Sequence, residues 1–255
     1  MKILELKNIS LIYHSREGET LAIKDLTLDI GEGEFLSIVG PSGCGKTTVL
    51  SLISGLMPAS GGQILIGGAP VTGPSRDVGY MLQRDQLFEW RDIRENVLLG
   101  LEIQKKMTQE NIAYADGLLD KYGLKDFKKH HPSQLSGGMR QRAALIRTLA
   151  TNPKLLLLDE PFAALDFQTR LSVCDDVHNI IKSENKTAVL VTHDISEAIS
   201  LSDRIAVLTE RPAALKKVYE PNIQSSGSPL RRREAPKFRL LFDKIWKELK
   251  SENKE

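Results

Sequence analysis

The sequence predicts an α/β fold, a parallel sheet buried on both faces with short strands before it and a helical insertion within it. Three observations carry this prediction. Phe35–Val39, Leu155–Leu158, Thr187–Val191 and Ile205–Leu208 are mostly apolar runs of strand length, without the alternation of a half-exposed strand. Helix-length spacers separate the later runs, and alternating strands and helices favour parallel pairing. Between about Asp85 and Thr151 charged residues dominate and the apolar spacing turns helical. A chain of 255 residues with 41% hydrophobic residues is large and apolar enough to bury a core.

In chain order, Ile3–Leu6, Leu26–Ile30 and Gln63–Ile66 are short, partly alternating strand segments. Gly-rich turns at Gly31–Gly33, Gly61-Gly62 and Gly67-Gly68 are expected to separate them. After Phe35–Val39, residues Val49, Leu50, Leu52, Ile53 and Leu56 recur at helical spacing, so the intervening glycines sit on a strand-to-helix turn. Within the insertion, Ile93–Leu101, Asn111–Tyr122 and Met139–Ala150 carry helical patterns. Beyond Pro221 the chain becomes Ser/Gly-rich at Ser225–Ser228, basic at Arg231–Arg233, then amphipathic from Lys237 to Leu249. The expected division is a domain over 1–220, its helical part about 85–151, and a linker with a terminal helix over 221–255.

Net charge is +2, which gives no global reason to expect a nucleic-acid partner. The longest apolar runs are too short to span a bilayer, and Met1–Ile9 lacks the apolar stretch of a signal peptide. Cys44 and Cys174 show no metal-type spacing, a usage that suits a reducing cytosol.

Gly40-Pro41-Ser42-Gly43-Cys44-Gly45-Lys46-Thr47-Thr48 fits G-x-x-x-x-G-K-[ST] in full, between a buried strand and a helix. In that context its glycines let backbone N–H groups converge on phosphate oxygens at the positive end of the helix. Lys46 is placed to reach the β- and γ-phosphates, and the Thr47 hydroxyl is a ligand for Mg²⁺. Leu155–Leu158 ends on Asp159-Glu160, at the sheet edge where α/β folds bind ligands. Asp159 can hold Mg²⁺ through a water, and Glu160 can polarise the water that attacks ATP. An apolar strand often ends on solvated acids, and the phosphate loop is what makes this pair informative.

With Leu135-Ser136-Gly137-Gly138-Met139-Arg140-Gln141-Arg142 added, the chain from about Leu4 to Leu208 resembles the ATP-binding subunits of ABC transporters. This last segment is similar to the family signature and stands just before a helix. Ser136 can therefore be a helix cap and also part of a second anion site. The resemblance implies a P-loop ATPase core with a mixed sheet, an N-terminal antiparallel β-subdomain and an inserted α-helical subdomain. It further implies that Gln83 senses Mg²⁺ and the attacking water and that His193 contacts the γ-phosphate. By the same resemblance Asp166 belongs to a loop crossing the dimer interface, and Tyr13 stacks on adenine. His14, His178 and the His130-His131 pair have no such context and are read as surface or core residues.

Met139 departs from the glutamine commonest in the wider family, and Ala163 from a frequent serine. Methionine there, with Leu87-Phe88-Glu89-Trp90-Arg91, resembles the nitrate, sulfonate and taurine type of importer. The implied cofactors are ATP and Mg²⁺. The implied partners are a second copy or a paralogous ATPase subunit, integral membrane permease subunits and an extracytoplasmic solute-binding protein. The expected location is peripheral, on the cytoplasmic face of the membrane. Leu87, Phe88 and Trp90 fit either a cleft for a permease helix or the insertion's own core. The terminal amphipathic stretch fits packing on its own domain better than contact with an anionic membrane; it is too short for the extra β-domain of sugar-importer ATPases. Asn185-Lys186-Thr187-Ala188 lacks the aspartate that a guanine-reading motif needs, which argues against a GTPase. No long coiled coil separates the phosphate loop from the signature, unlike DNA-repair members, and translation-type members normally carry two nucleotide domains.

Overall fold

The computed structural model describes residues 1–16, 18–223 and 228–250. A six-stranded sheet carries the architecture. Its members in chain order are β3 (Phe35–Val39), β6 (Val78–Met81), β7 (Leu155–Asp159), β8 (Thr187–Val191), β9 (Arg204–Leu208) and β10 (Leu215–Tyr219). The spatial order is β10-β9-β3-β8-β7-β6. Pairing is parallel except where β10 runs antiparallel to β9, so the sheet is mixed.

The apolar runs face two cores at once, as the two-residue period of a strand requires. Leu156 and Leu158 of β7, with Ala188 and Leu190 of β8, pack into one core with the insertion helices. Leu155, Leu157, Val189 and Val191 face the opposite core, shared with α1 (Lys46–Ile53) and a second sheet. That second sheet is antiparallel, in the order β2-β1-β4-β5, from β1 (Lys2–Ser15), β2 (Gly18–Gly31), β4 (Gly61–Ile66) and β5 (Ala69–Pro70).

The short-strand reading of the N-terminus needs correction. Ile3–Leu6 and Leu26–Ile30 are parts of a long hairpin whose bulges shift the register repeatedly and break the hydrophobic alternation that reveals strand length in a sequence. Gly61 and Gly62 lie inside β4 rather than in a turn. The helix after the phosphate loop ends at Ile53, and Leu56 lies outside it, exposed. Strands β6 and β10 add to the strands that the sequence pattern reveals.

The insertion holds α2 (Ile93–Ile103), α3 (Gln109–Lys121) and α4 (Gly137–Ala150). Asp92 and Glu95 form a reciprocal capping box on α2, and the Thr108 side chain caps α3. Glu184, the residue after α5 (Phe167–Ser183), accepts hydrogen bonds from Tyr114, Lys121 and Tyr122, tying α3 to the core. Leu87 joins the buried core, whereas Trp90 is 73% exposed and stacks on Phe88 with ring centroids 4.6 Å apart. The core reading of this phrase therefore holds for Leu87 and not for Trp90.

The C-terminal stretch forms α7 (Pro229–Arg232) and α8 (Pro236–Lys250). Leu241 and Ile245 bury themselves against Val39, Val207 and α6 (Ile195–Leu201), as the packing reading expects. Part of the Ser/Gly-rich segment, residues 225–227, lies outside the described residues.

Candidate active site

Strands β3, β7 and β8 deliver the sequence-predicted residues to one edge of the sheet. The loop after β3 begins at Gly40, where an added Cβ would lie 2.9 Å from Cys44 Sγ and 3.2 Å from Leu208 Cβ. Gly43 and Gly45 have φ of 74° and 122°, backbone that side-chain-bearing residues rarely adopt. Pro41, Ser42 and the buried Cys44 complete the turn. α1 then starts with no side-chain cap, which leaves its first N–H groups to an anion. Lys46 is buried, and its ammonium donates to the carbonyls of Gly40 at 3.0 Å and Pro41 at 2.9 Å. Thr47 Oγ1 donates to Asp159 Oδ1 at 3.1 Å. Tyr13 of β1 reaches the end of the loop, its hydroxyl 3.2 Å from Thr48 Oγ1.

Asp159 is only 6% exposed. Burial raises its pKa, and the neighbouring Glu160 charge adds to this, although the hydrogen bond from Thr47 opposes it. Tyr80 of β6 donates to Asp159 Oδ2 at 3.4 Å. Burial and the Asp159 charge push the Tyr80 phenol up to about 12, so it stays a donor across the physiological range.

Glu160 follows β7 with φ of 43°, and its N–H donates to Val191 O of β8 at 2.9 Å. The kink brings its carboxylate to two residues that the family resemblance singles out for other roles. Gln83 Nε2 donates to Glu160 Oε2 at 3.4 Å, and His193 Nδ1 lies 3.2 Å from the same oxygen. His193 is held by its own turn: Asp194 N–H donates to Thr192 Oγ1, which donates to buried Glu197 at 2.6 Å. Burial raises the Glu197 pKa. The structure thus gathers Lys46, Thr47, Asp159, Glu160, Gln83 and His193.

Leu135, Ser136, Gly137, Gly138 and Met139 lie at the start of a different helix, α4. Ser136 accepts from Met139 N–H at 3.3 Å and caps the helix. An added Cβ on Gly138 would lie 2.8 Å from Val173 Cγ2, so α4 and α5 approach closely only at a glycine. Leu135 is buried and Met139 half-buried against the insertion core. Asp166 is exposed and caps α5 by accepting from Thr169 N–H at 3.1 Å; hydrogen bonding from the Thr169 side chain, and then from its N–H, lowers its pKa. The exposed Ala163 lies in the same loop.

Sequence reasoning missed the residues that brace this site. Tyr80 is one. Arg147 of α4 is another: it donates to Gln86 O at 2.6 Å and Asp85 O at 2.7 Å, while Arg140 Nε donates to Asp85 Oδ2 at 3.2 Å. The loop carrying Gln83 is therefore clasped to the helix that carries the signature. The recurrence of arginines along one helix is the available signal, but their targets are set by tertiary structure.

A phosphate loop, an acidic strand end and a second helix start on a mixed α/β sheet define a nucleotide-hydrolysing cassette. A model of the ABC transporter family matches residues 23–163, more than half of the chain. The ABC transporter ATP-binding protein YtlC of Bacillus subtilis is 49% identical over 256 residues, covering 100% of this chain and 98% of that one. The taurine import ATP-binding protein TauB of Jannaschia sp. is 39% identical over 246 residues, covering 95% of this chain and 92% of that one. Among solved structures, the dimeric bacterial ABC transporter cassette MJ0796 matches with a TM-score of 0.73 and 33% identity, over 86% of this chain and 99% of that one. A post-hydrolysis state of that cassette, bound to ADP and Pi, matches at 0.71 with 31% identity, over the same shares of 86% and 99%. The chain belongs to the ABC transporter family, as an ATP-binding and ATP-hydrolysing subunit.

Proposed function

We propose that this subunit powers an importer of a small organic or inorganic anion, of the nitrate, sulfonate or taurine kind, by closing on ATP as a head-to-tail dimer. The observation that carries the reading is that the two anion-binding helix starts belong to different helices. Lys46 and Thr47 gather with Asp159 and Glu160, whereas Ser136–Gly138 open a different helix packed on α5. One nucleotide held by both takes Lys46 and Thr47 from one subunit and Ser136, Gly137 and Gly138 from another. The dimeric form of the MJ0796 cassette supports this arrangement, and the taurine import relatives support the cargo class.

In the proposed reaction the Lys46 ammonium exchanges the carbonyls of Gly40 and Pro41 for the β- and γ-phosphates. Glu160 polarises the attacking water, with Gln83 and His193 holding its carboxylate and meeting the γ-phosphate side. Tyr13 stacks on adenine, and Asp166 crosses to the partner. Mg²⁺ suits the residues present. Thr47 and Asp159 offer hard oxygen donors 3.1 Å apart, and the Asp159 carboxylate is buried beside Glu160 at the end of β7. Thr47, Gln83 and Asp159 would hold it, the last through a water. When bound, the ion neutralises charge between the β- and γ-phosphates.

Moving a two-state assembly from mostly open to mostly closed takes about 5.5 kcal/mol of differential binding. Two nucleotides supply roughly 3 kcal/mol each, within reach of a few charge-assisted hydrogen bonds. Among the described residues no helix is long and apolar enough to cross a membrane. In this proposal the transported anion passes through separate permease subunits, fed by an extracytoplasmic solute-binding protein, with this subunit on the cytoplasmic face. Residues 1–220 form the ATP-binding domain, about 85–151 its permease-facing insertion, and 221–255 a terminal linker and helix. The Phe88–Trp90 stack, with Trp90 exposed, suits a cleft that receives a short permease helix.

The test is Glu160→Gln. It is expected to keep ATP affinity, to lower turnover at least about 100-fold and to accumulate as an ATP-dependent dimer. Normal steady-state hydrolysis would remove Glu160 from its role, and a monomer at saturating ATP and Mg²⁺, with the permease present, would remove the dimer. The cargo is settled by asking which anion stimulates ATPase activity in the reconstituted permease complex.

A further inference from the structure

The turn between β9 and β10 lies beside the phosphate loop and is built as a brace. Thr209 Oγ1 accepts from Ala214 N–H at 2.9 Å, and Thr209 N–H donates to Ala214 O at 3.0 Å, closing the turn on itself. Ala213 is fully buried and bonded on both sides to β2: its N–H donates to Ala22 O at 2.8 Å, and Lys24 N–H donates to its carbonyl at 2.9 Å. The turn is thus anchored to the main sheet and to the antiparallel sheet.

From this anchor two contacts reach the loop. An added Cβ at Gly45 would sit 3.7 Å from Ala213 Cβ, so Ala213 lies directly under the last glycine of the loop. Arg211 Nη2 donates to Gly43 O at 3.0 Å. A cleft of about 540 Å³, lined by Pro41, Ser42, Gly43, Cys44, Glu210 and Arg211, runs along the same side. Gly43 has φ of 74°, and a glycine-rich loop loses much conformational entropy when it is fixed around a phosphate. A bond to the Gly43 carbonyl from an anchored turn fixes part of that freedom in advance.

We infer that Arg211 is a positioning residue for ATP binding, holding the phosphate loop in its nucleotide-ready form through the Gly43 carbonyl. The residue lies beyond the 23–163 segment that matches the family model, and it meets the loop at a backbone carbonyl. The inference rests on the reading that Gly40–Thr48 holds the nucleotide. Because the brace acts on the cradle and not on the leaving or attacking groups, it strengthens ADP and ATP binding alike and leaves the chemical step alone.

The experiment is calorimetric titration of the full chain with ATP and with ADP, beside steady-state kinetics, for the unaltered protein, Arg211→Ala and Arg211→Lys. Arg211→Ala is expected to weaken both nucleotides about fivefold, the typical net worth of one hydrogen bond at an exposed site, with kcat changed less than about twofold. Arg211→Lys, which keeps a donor and the charge, is expected to recover most of the affinity. Should Arg211→Ala fail to fold, Arg211→Gln replaces it in the same comparison. Unchanged affinity in the charge-removing variant overturns the inference, as does a fall in kcat at constant KM. No ATP binding by the unaltered protein overturns the site reading itself, and this inference with it.

Discussion

Two glycine-bearing helix starts, at α1 and α4, differ in how each meets its own chain. α4 is satisfied: Ser136 caps it, Gly138 lets it press on α5, and Arg140 and Arg147 on its flank hold a neighbouring loop. α1 has no side-chain cap, follows positive-φ backbone that glycine adopts freely, and faces a buried carboxylate with a raised pKa. The α1 site is therefore held in readiness for a highly charged ligand, while the α4 site is a finished surface, which the proposed dimer would bring to such a ligand from outside. Stability and function pull against each other at the first site far more than at the second.

Charge substitutions break this comparison most sharply. Lys46→Ala is expected to lower ATP affinity of the isolated chain about 100-fold, as charge-assisted contacts to the phosphates are lost. Ser136→Glu, with equal or greater electrostatic insult, is expected to leave that affinity unchanged while turnover collapses. A parallel loss of binding in both variants would show that the two helix starts meet one nucleotide within a single chain.

A smaller effect concerns stability without nucleotide. Because the folded pKa of Asp159 is raised above its unfolded value, the native state binds more protons between the two, and stability falls as pH rises through that window. Asp159→Asn removes this penalty and is expected to stabilise the nucleotide-free protein at neutral pH while abolishing turnover. The gain should vanish once the pH drops below about 3.9, where the unfolded carboxyl is itself protonated. Urea unfolding of both proteins across pH measures it, and a gain that persists in acid would assign the effect to packing.

The smallest effect belongs to the satisfied helix start. Ser136→Ala is expected to cost about 1 kcal/mol through loss of the cap, with binding of ATP to the isolated chain unchanged. Ser136→Gly should cost only a few tenths. Equal losses for the two would separate the serine hydroxyl from the stability of α4.

Those parts of the site that rest on contiguous residues are legible in the sequence itself. The glycine pattern fixes a backbone path, and a buried strand ending on Asp159-Glu160 reads as a sheet edge because both faces of its residues are apolar. What stays hidden depends on residues distant along the chain. Leu215–Tyr219 carries two lysines and pairs on one side only, so it looks like a surface segment. Val78–Met81 is short and includes a glycine that must stay small, since a Cβ there would lie 2.6 Å from Thr148 Cγ2. Tyr80, Arg147 and Arg211 act on Asp159, Asp85 and Gly43 across separations that no local pattern encodes. The long hairpin is obscured for a different reason: its bulges erase the regular alternation by which strands announce their length.

The clasp of Arg140 and Arg147 on Asp85 and Gln86 bears on how the molecule tolerates insertion. The segment from Gln83 to Gln86 is tethered at one end to the Glu160 carboxylate and at the other to the flank of α4. It behaves as a taut strap, and its span is set by anchors that belong to two different structural units. One residue added or removed there would misplace either the amide or the clasp, whatever its side chain. Along this strap length itself is the invariant, and side-chain chemistry has freedom only beyond the second anchor.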